Sequence, residues 1–227
     1  MHVVTTASAP TSSASGRLVV HALPMARDNL GWLIVAGDEA AIVDGPEAGT
    51  VLAACDALGV RLTTVINTHT HGDHIGVNHD LARRGLLAGM RVIGPAAVAA
   101  DIPGLTVPVG PDAHIVFGGV HGNVILTEGH LTGHVSYRFE DLAFTGDALF
   151  MGGCGYLFSG PPAAMFEGLA AALATDRLLI ELHVAAVRAV LQQQPTVLET
   201  LPVGLRVQVG RGQRLDVGFL GFNASHS

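Results

Sequence analysis

Charge is scarce in this chain. Asp, Glu, Lys and Arg make up only 14% of its 227 residues, and the 12 basic ones are scattered, so the formal charge of −7 comes without a basic patch. Nucleic-acid binding by counterion release needs clustered cations, and that class of function is set aside. Cysteine is scarcer still: Cys55 and Cys154 are the only two, and they form no CxxC pair. A disulfide framework and a thiolate zinc site are both excluded, so any metal must be held by His and carboxylate. Long apolar runs are missing as well. Gly, Pro or a charge interrupts each one short of the ~20 residues a membrane span needs, so no membrane partner is expected. The opening "MHVVTTASAPTSSASG" lacks a cationic start followed by an apolar stretch. It reads as a disordered tail over residues 1–16 rather than a secretory signal, with the cytoplasm as the default compartment.

What the chain has is 49% hydrophobic residues and 29 glycines, the mark of a compact fold rich in tight turns. Its length suits one large domain plus a short appendage. "RLVVHAL" (17–23), "LGWLIVA" (30–36) and "AAIVDG" (40–45) are β-rich runs that open an antiparallel sheet. Helical spacing over 47–58 is followed by the strand "RLTTVINT" (61–68), a helix over 75–84 and a strand near 90–93. The stretch 113–129 is β-rich, and "HVSYRFE" and "DLAFTGD" form two strands joined by the acidic turn at Glu140 and Asp141. A helix over 162–176 and a buried strand over 177–183 complete a domain at 17–183; residues 184–227 form a short, divergent segment. No internal repeat is present. Strands and helices mixed in both halves imply an α/β layered architecture with its site at strand ends.

The densest chemistry is "THTHGDH", residues 68–74. In extended chain, residues two apart point the same way, so His69 and His71 can bind one ion as a pair. Asp73 and His74 fall where the chain turns towards a helix and can reach a second ion. His130 follows the strand "NVILTE" across a glycine, and Asp147 follows another apolar strand in "AFTGDALF". A carboxylate such as Asp147 can bridge two cations, whereas the alternative for an Asp at that position is a helix N-cap. His79, His114 and His121 have no partner motif and are expected at the surface or in turns.

"THTHGDH", "EGHLTGHVSY" and "FTGDALFMGGCG" resemble, in order and spacing, the motifs of the metallo-β-lactamase superfamily. The last of them, with "LPMARDNLGWLIV" and "AAIVDGPEA", is similar to glyoxalase II, hydroxyacylglutathione hydrolase. The resemblance implies a four-layer αββα sandwich. It further implies that His69, His71 and His130 hold one divalent metal, that Asp73 and His74 hold a second, and that Asp147 bridges them. His183 is the histidine in the interval of the family's seventh ligand, although the family's "GHE" triplet is absent. His134 falls at a family position that packs behind the ligands. Two ions, zinc first with iron or manganese also accepted, would present hydroxide at neutral pH to the carbonyl of a thioester such as S-D-lactoylglutathione, with Asp73 and Asp147 as the catalytic carboxylates.

The likeness weakens at the substrate. Glyoxalase II carries a basic residue directly after "GCG" and a tyrosine two positions later; here those candidate substrate-binding positions hold Tyr156 and Phe158. A family tyrosine beyond the seventh ligand corresponds to Ala185, and the C-terminal helical domain is shortened. Arg206, Arg211 and Arg214 are cations that no motif positions. Another small thioester, an ester or a lactone therefore stays open as the substrate. So do a mononuclear iron persulfide dioxygenase and a non-catalytic descendant.

Overall fold

The computed structural model of the chain describes residues 9–150, 154–173, 206–209 and 213–216. A seven-stranded sheet holds β1 (Thr11–Ser12), β2 (Val19–Met25), β3 (Asn29–Ala36), β4 (Glu39–Val43), β5 (Arg61–Ile66), β6 (Arg91–Pro95) and β7 (Val107–Val109), in that spatial order. The first four run antiparallel, and β4 to β7 pair in parallel. Helix α1 (Gly49–Leu58) links β4 to β5, and α2 (Gly72–Arg83) links β5 to β6, as parallel pairing requires. A second, antiparallel sheet follows with β8 (His114–Phe117), β9 (Val120–Leu126), β10 (Val135–Phe139) and β11 (Leu142–Phe144). After it come α3 (Pro162–Leu173) and an antiparallel pair, β12 (Arg206–Val209) and β13 (Gln213–Asp216).

The strand period of two sorts side chains into two cores. On the central strands Ile34, Val43, Ile66 and Ile93 face the second sheet and meet Val124, Tyr137, Phe139 and Phe144. Their neighbours Leu33, Ile42, Val65 and Val92 face the other way, against Val51 and Cys55 of α1 and Val77 and Leu81 of α2. Both faces are dry, which is why "AAIV" and "TVI" read as continuous apolar runs. α3 packs on β9 and β10, and its Met165 and Leu169 are buried against Ala148, Leu149 and Leu157, giving the αββα order of layers that the resemblance implied.

Three elements depart from the sequence reading. The tail expected over residues 1–16 is structured from Thr11, where β1 pairs with β2. Ser13 is buried there, the Ala14 amide donates to Asp141 Oδ1 at 2.7 Å, and the Ser15 amide donates to Glu140 Oε2 at 3.0 Å. Polar side chains hide this strap in the sequence, because its bonds run to a turn more than a hundred residues away. β7 has no counterpart in the sequence reading; it contains Pro108 and is the sheet's edge, where a missing N–H is tolerated. α2 begins at Gly72 rather than 75, with extended His71 before it and Asp73 in the first turn, where a carboxylate favours the helix dipole.

Candidate metal centre

The crossing from β5 to α2 carries the histidine cluster to the ends of the parallel strands. His69 Nε2 lies 3.1 Å from His71 Nδ1, and His130, on the loop between β9 and β10, brings Nε2 to 2.8 Å from the same atom. Asp147 enters on a short 3-10 turn after β11, with Oδ2 3.2 Å from His130 Nε2 and 4.0 Å from His69 Nε2. The ligand atoms of these four residues all lie within 4.8 Å of one another. The other Asp147 oxygen, Oδ1, lies 3.3 Å from His74 Nε2, and Asp73 Oδ2 is 3.6 Å from that nitrogen. Thus six sequence-predicted residues converge, and the carboxylate of Asp147 stands between two groups of them. The cap on its turn is Thr145, not Asp147.

The hydrogens on these groups decide whether a cation suits them. Thr68 Oγ1 donates to Asp44 Oδ2 at 2.7 Å, so it accepts from His69 Nδ1 at 3.0 Å. His130 Nδ1 donates to the Tyr156 carbonyl at 2.6 Å. Both imidazoles therefore turn an Nε2 lone pair towards His71 Nδ1, which carries one hydrogen at most. His74 Nδ1 donates to Asp44 Oδ2 at 3.0 Å, leaving its Nε2 to face the oxygens of Asp73 and Asp147. Acceptors that converge repel one another unless positive charge sits among them. The donor set fits a divalent cation that takes imidazole and carboxylate together.

Ionisation follows the same pattern. Burial, then the neighbouring imidazoles led by His74, hold His69 far below its ordinary range; burial and His130 likewise lower His71. Burial alone would lower His74, but the charges of Asp44 and Asp147 and hydrogen bonds to both push it up to about 10. Burial would raise Asp147, yet its bond to His74 and that residue's charge outweigh it and keep the carboxyl below its usual range. A proton and a cation thus compete for His74 Nε2.

Sequence reading missed the residues that hold the cluster in shape. Asp44, buried at the end of β4, accepts from the Thr68 amide at 2.9 Å, from Thr68 Oγ1 and from His74 Nδ1. Such a carboxylate behind a histidine fixes its tautomer and orientation. Asn67 and Asn78 exchange amide bonds at 3.0 and 2.8 Å, and Tyr137 donates across from the second sheet to the Asn67 carbonyl at 2.8 Å. A signal did exist for Asp44: "AAIVDG" is an apolar strand ending in a carboxylate and glycine, the same feature that picked out Asp147 in mirror order.

His134 is buried, stacks on His69 with ring centroids 4.7 Å apart, and binds Thr127 Oγ1 through Nδ1. Two glycines make the close packing possible. A Cβ on Gly146, where φ is +48°, would collide with Thr68 Oγ1, and one on Gly155 would enter the His130 ring. Just beyond lie Tyr156, 75% exposed, and Phe158, 62% exposed, with centroids 4.8 Å apart. The Phe158 ring stands edge-on to His71 at 5.8 Å, and its centroid is 5.6 Å from that of His130. His79, His114 and His121 are exposed, as expected. His183, Ala185 and Arg211 lie outside the described residues. Among those residues no helix is long and apolar enough to cross a membrane.

The model of the metallo-beta-lactamase superfamily matches residues 27–188. The chain belongs to that superfamily. It is 43% identical over 155 residues to the hydroxyacylglutathione hydrolase of Acidiphilium cryptum, covering 68% of this chain and 63% of that protein. It is 39% identical over 167 residues to the hydroxyacylglutathione hydrolase of Cereibacter sphaeroides, covering 71% of this chain and 64% of the other. The match thus spans less than two thirds of these relatives' length. Among solved structures, ETHE1 from Myxococcus xanthus superposes with a TM-score of 0.50 at 23% identity, over 71% of this chain and 67% of that one. At that identity the likeness concerns the fold alone.

Proposed function

We propose that the chain is a dinuclear metal-dependent hydrolase that cleaves a small thioester, with S-D-lactoylglutathione or a related hydroxyacylglutathione as first substrate. The observation that carries this reading is the placement of Asp147, one oxygen towards His69 and His130 and the other towards His74. The relatives named hydroxyacylglutathione hydrolase support the thioester and its glutathione half. The hydrolase domain is taken as residues 17–183, with 184–227 as a short, divergent segment; the superfamily match over 27–188 supports the bulk of that domain.

In this reading His69, His71 and His130 would hold one ion, Asp73, His74 and His183 would hold the other, and Asp147 would be shared between them. Zinc is the first choice for this His-rich set, with iron or manganese as alternatives. Two such ions supply Lewis-acid polarisation of the carbonyl and activation of water at neutral pH. The chain's own groups do the rest. Asp44 keeps His74 in the tautomer that presents Nε2, and the Tyr156 carbonyl does the same for His130. Asp73 orients the attacking water with its free oxygen. Phe158 and Tyr156 offer the thiol half of the substrate a ring surface beside His71 and His130, and the departing thiolate needs little help from a general acid. His134 braces His69 from behind by ring stacking.

The test is a panel of thioesters with glutathione, coenzyme A and simple alkyl thiol leaving groups, assayed with and without oxygen alongside metal analysis. Turnover without oxygen, fastest with the glutathione thioester, is expected. Strict oxygen dependence with one iron per chain would instead identify a persulfide dioxygenase, and no turnover with zinc, iron or manganese would leave a non-catalytic descendant. His183→Ala should lower metal content below two per chain and slow turnover; full content and rate in that variant would remove His183 from the ligand set.

A further inference from the structure

Of the six converging residues, Asp73 is the most loosely held. Its side chain is 50% exposed, against 26% for Asp147 and 11% for His74. Its carboxylate has one hydrogen bond among those the described residues show: Asn29 Nδ2 donates to Oδ2 at 2.8 Å. That is the same oxygen that faces His74 Nε2 at 3.6 Å. The donor comes from far away in sequence, at the start of β3, where the β2–β3 hairpin reaches the lip of the site.

The hairpin tip is itself fixed. Met25, 3% exposed, pairs with Asn29 across the turn and lays its side chain against Gly31 and Gly45. A Cβ on Gly31 would meet Met25 Cε at 2.6 Å, and one on Gly45 would meet its sulfur at 3.1 Å. The tip is therefore seated on the backbone that follows Asp44, the residue holding His74. One seat thus serves both sides of the same group: Asp44 behind His74, and Asn29 in front of Asp73.

We propose that Asn29 is a positioning residue for Asp73, holding its carboxylate in the rotamer that completes the second metal position. This rests on the two-ion reading given above. A neutral amide suits the task. It donates a hydrogen bond without the positive charge that an Arg or Lys would set against a cation, and it leaves the other carboxylate oxygen free.

The experiment is zinc titration of the metal-free chain against a chromophoric chelator, for the wild type, Asn29→Ala, Asn29→Leu and Asn29→Gln. Removing a hydrogen-bond partner behind a ligand weakens metal binding by about 10-fold to 100-fold. The wild type should take up two zinc ions, and Ala and Leu should weaken the second by that factor while leaving the first alone. Gln, which keeps the amide, should recover part of the loss. Excess zinc should restore turnover in the Ala and Leu variants. Thermal midpoints of the metal-free variants should match the wild type, which a merely structural role would not allow.

Unchanged second-ion affinity in both Ala and Leu variants would overturn the inference. So would a fall in kcat/KM at full zinc loading with affinity unchanged, which would make Asn29 a substrate contact. A wild-type chain that never takes a second zinc would remove the two-ion reading, and this inference with it.

Discussion

Replacing Asp44 with Asn tests the idea that the cluster is held from behind. The side chain keeps its volume and loses its charge, in a residue only 4% exposed. Asp44 accepts three hydrogen bonds, from the Thr68 amide at 2.9 Å, Thr68 Oγ1 at 2.7 Å and His74 Nδ1 at 3.0 Å. An amide offers one oxygen in place of two and adds an NH2, so a donor faces a donor somewhere in the group as long as His74 keeps its hydrogen on Nδ1, the tautomer that presents Nε2 to a cation. If Thr68 rotates to accept from the new NH2, the His74 N–H must still find the single oxygen. If the oxygen stays with the Thr68 amide, His74 is left unpaired. A lost charge-assisted bond of about 1.5–3 kcal/mol plus an unsatisfied buried donor of about 1–3 kcal/mol sets the cost near 3–5 kcal/mol. That is a large share of a typical folding stability of about 5–15 kcal/mol, without abolishing the fold. Urea unfolding of the metal-free protein should show the loss directly. Zinc affinity should fall about 10-fold to 100-fold in the same variant. A change in stability under about 1 kcal/mol with zinc affinity intact would refute the role given to Asp44.

Two further perturbations follow from the geometry. In the metal-free chain His74 stays protonated up to about 10, above its ordinary 6.5, so its contribution to stability is full below pH 6.5 and is lost as pH rises through 10. Zinc added at pH 8 must displace that proton, and proton release measured in weak buffer should fall by about one per chain in His74→Ala. Gly155→Ala places a methyl group into the His130 ring and should reduce zinc affinity at the three-histidine position by at least about tenfold. Circular dichroism of the metal-free variant should match the wild type; unaltered zinc binding would show that His130 has room to move.

What the sequence disclosed and what it concealed divide along a physical line. His69, His71, Asp73 and His74 were legible because they lie within six residues, and His130 and Asp147 because each ends an apolar strand. An α/β layered architecture was legible from the mix of strand and helix patterns, and its αββα order came from the family resemblance. Asn29 was not legible, and Asp44 was marked only by the strand that it ends, because what makes them matter is contact with Asp73 and His74, 44 and 30 residues away in the chain. Polar residues at a strand end and in a hairpin look like ordinary turn chemistry until the fold brings them to the cluster. The strap at Ser13–Ser15 was concealed for the same reason, since its partners Glu140 and Asp141 belong to the other sheet.

The central claim, two ions serving thioester hydrolysis around Asp147, is tested most directly by one titration. Metal-depleted protein is given zinc in steps without oxygen, and thiol release from S-D-lactoylglutathione is followed together with bound zinc. The account predicts no release from the metal-free chain, a rate that rises with uptake to two zinc ions per chain, and loss of both the second ion and the rate in Asp147→Asn. Full zinc loading at two ions per chain with no thiol released, or an Asp147→Asn variant that loads and turns over like the wild type, would contradict it.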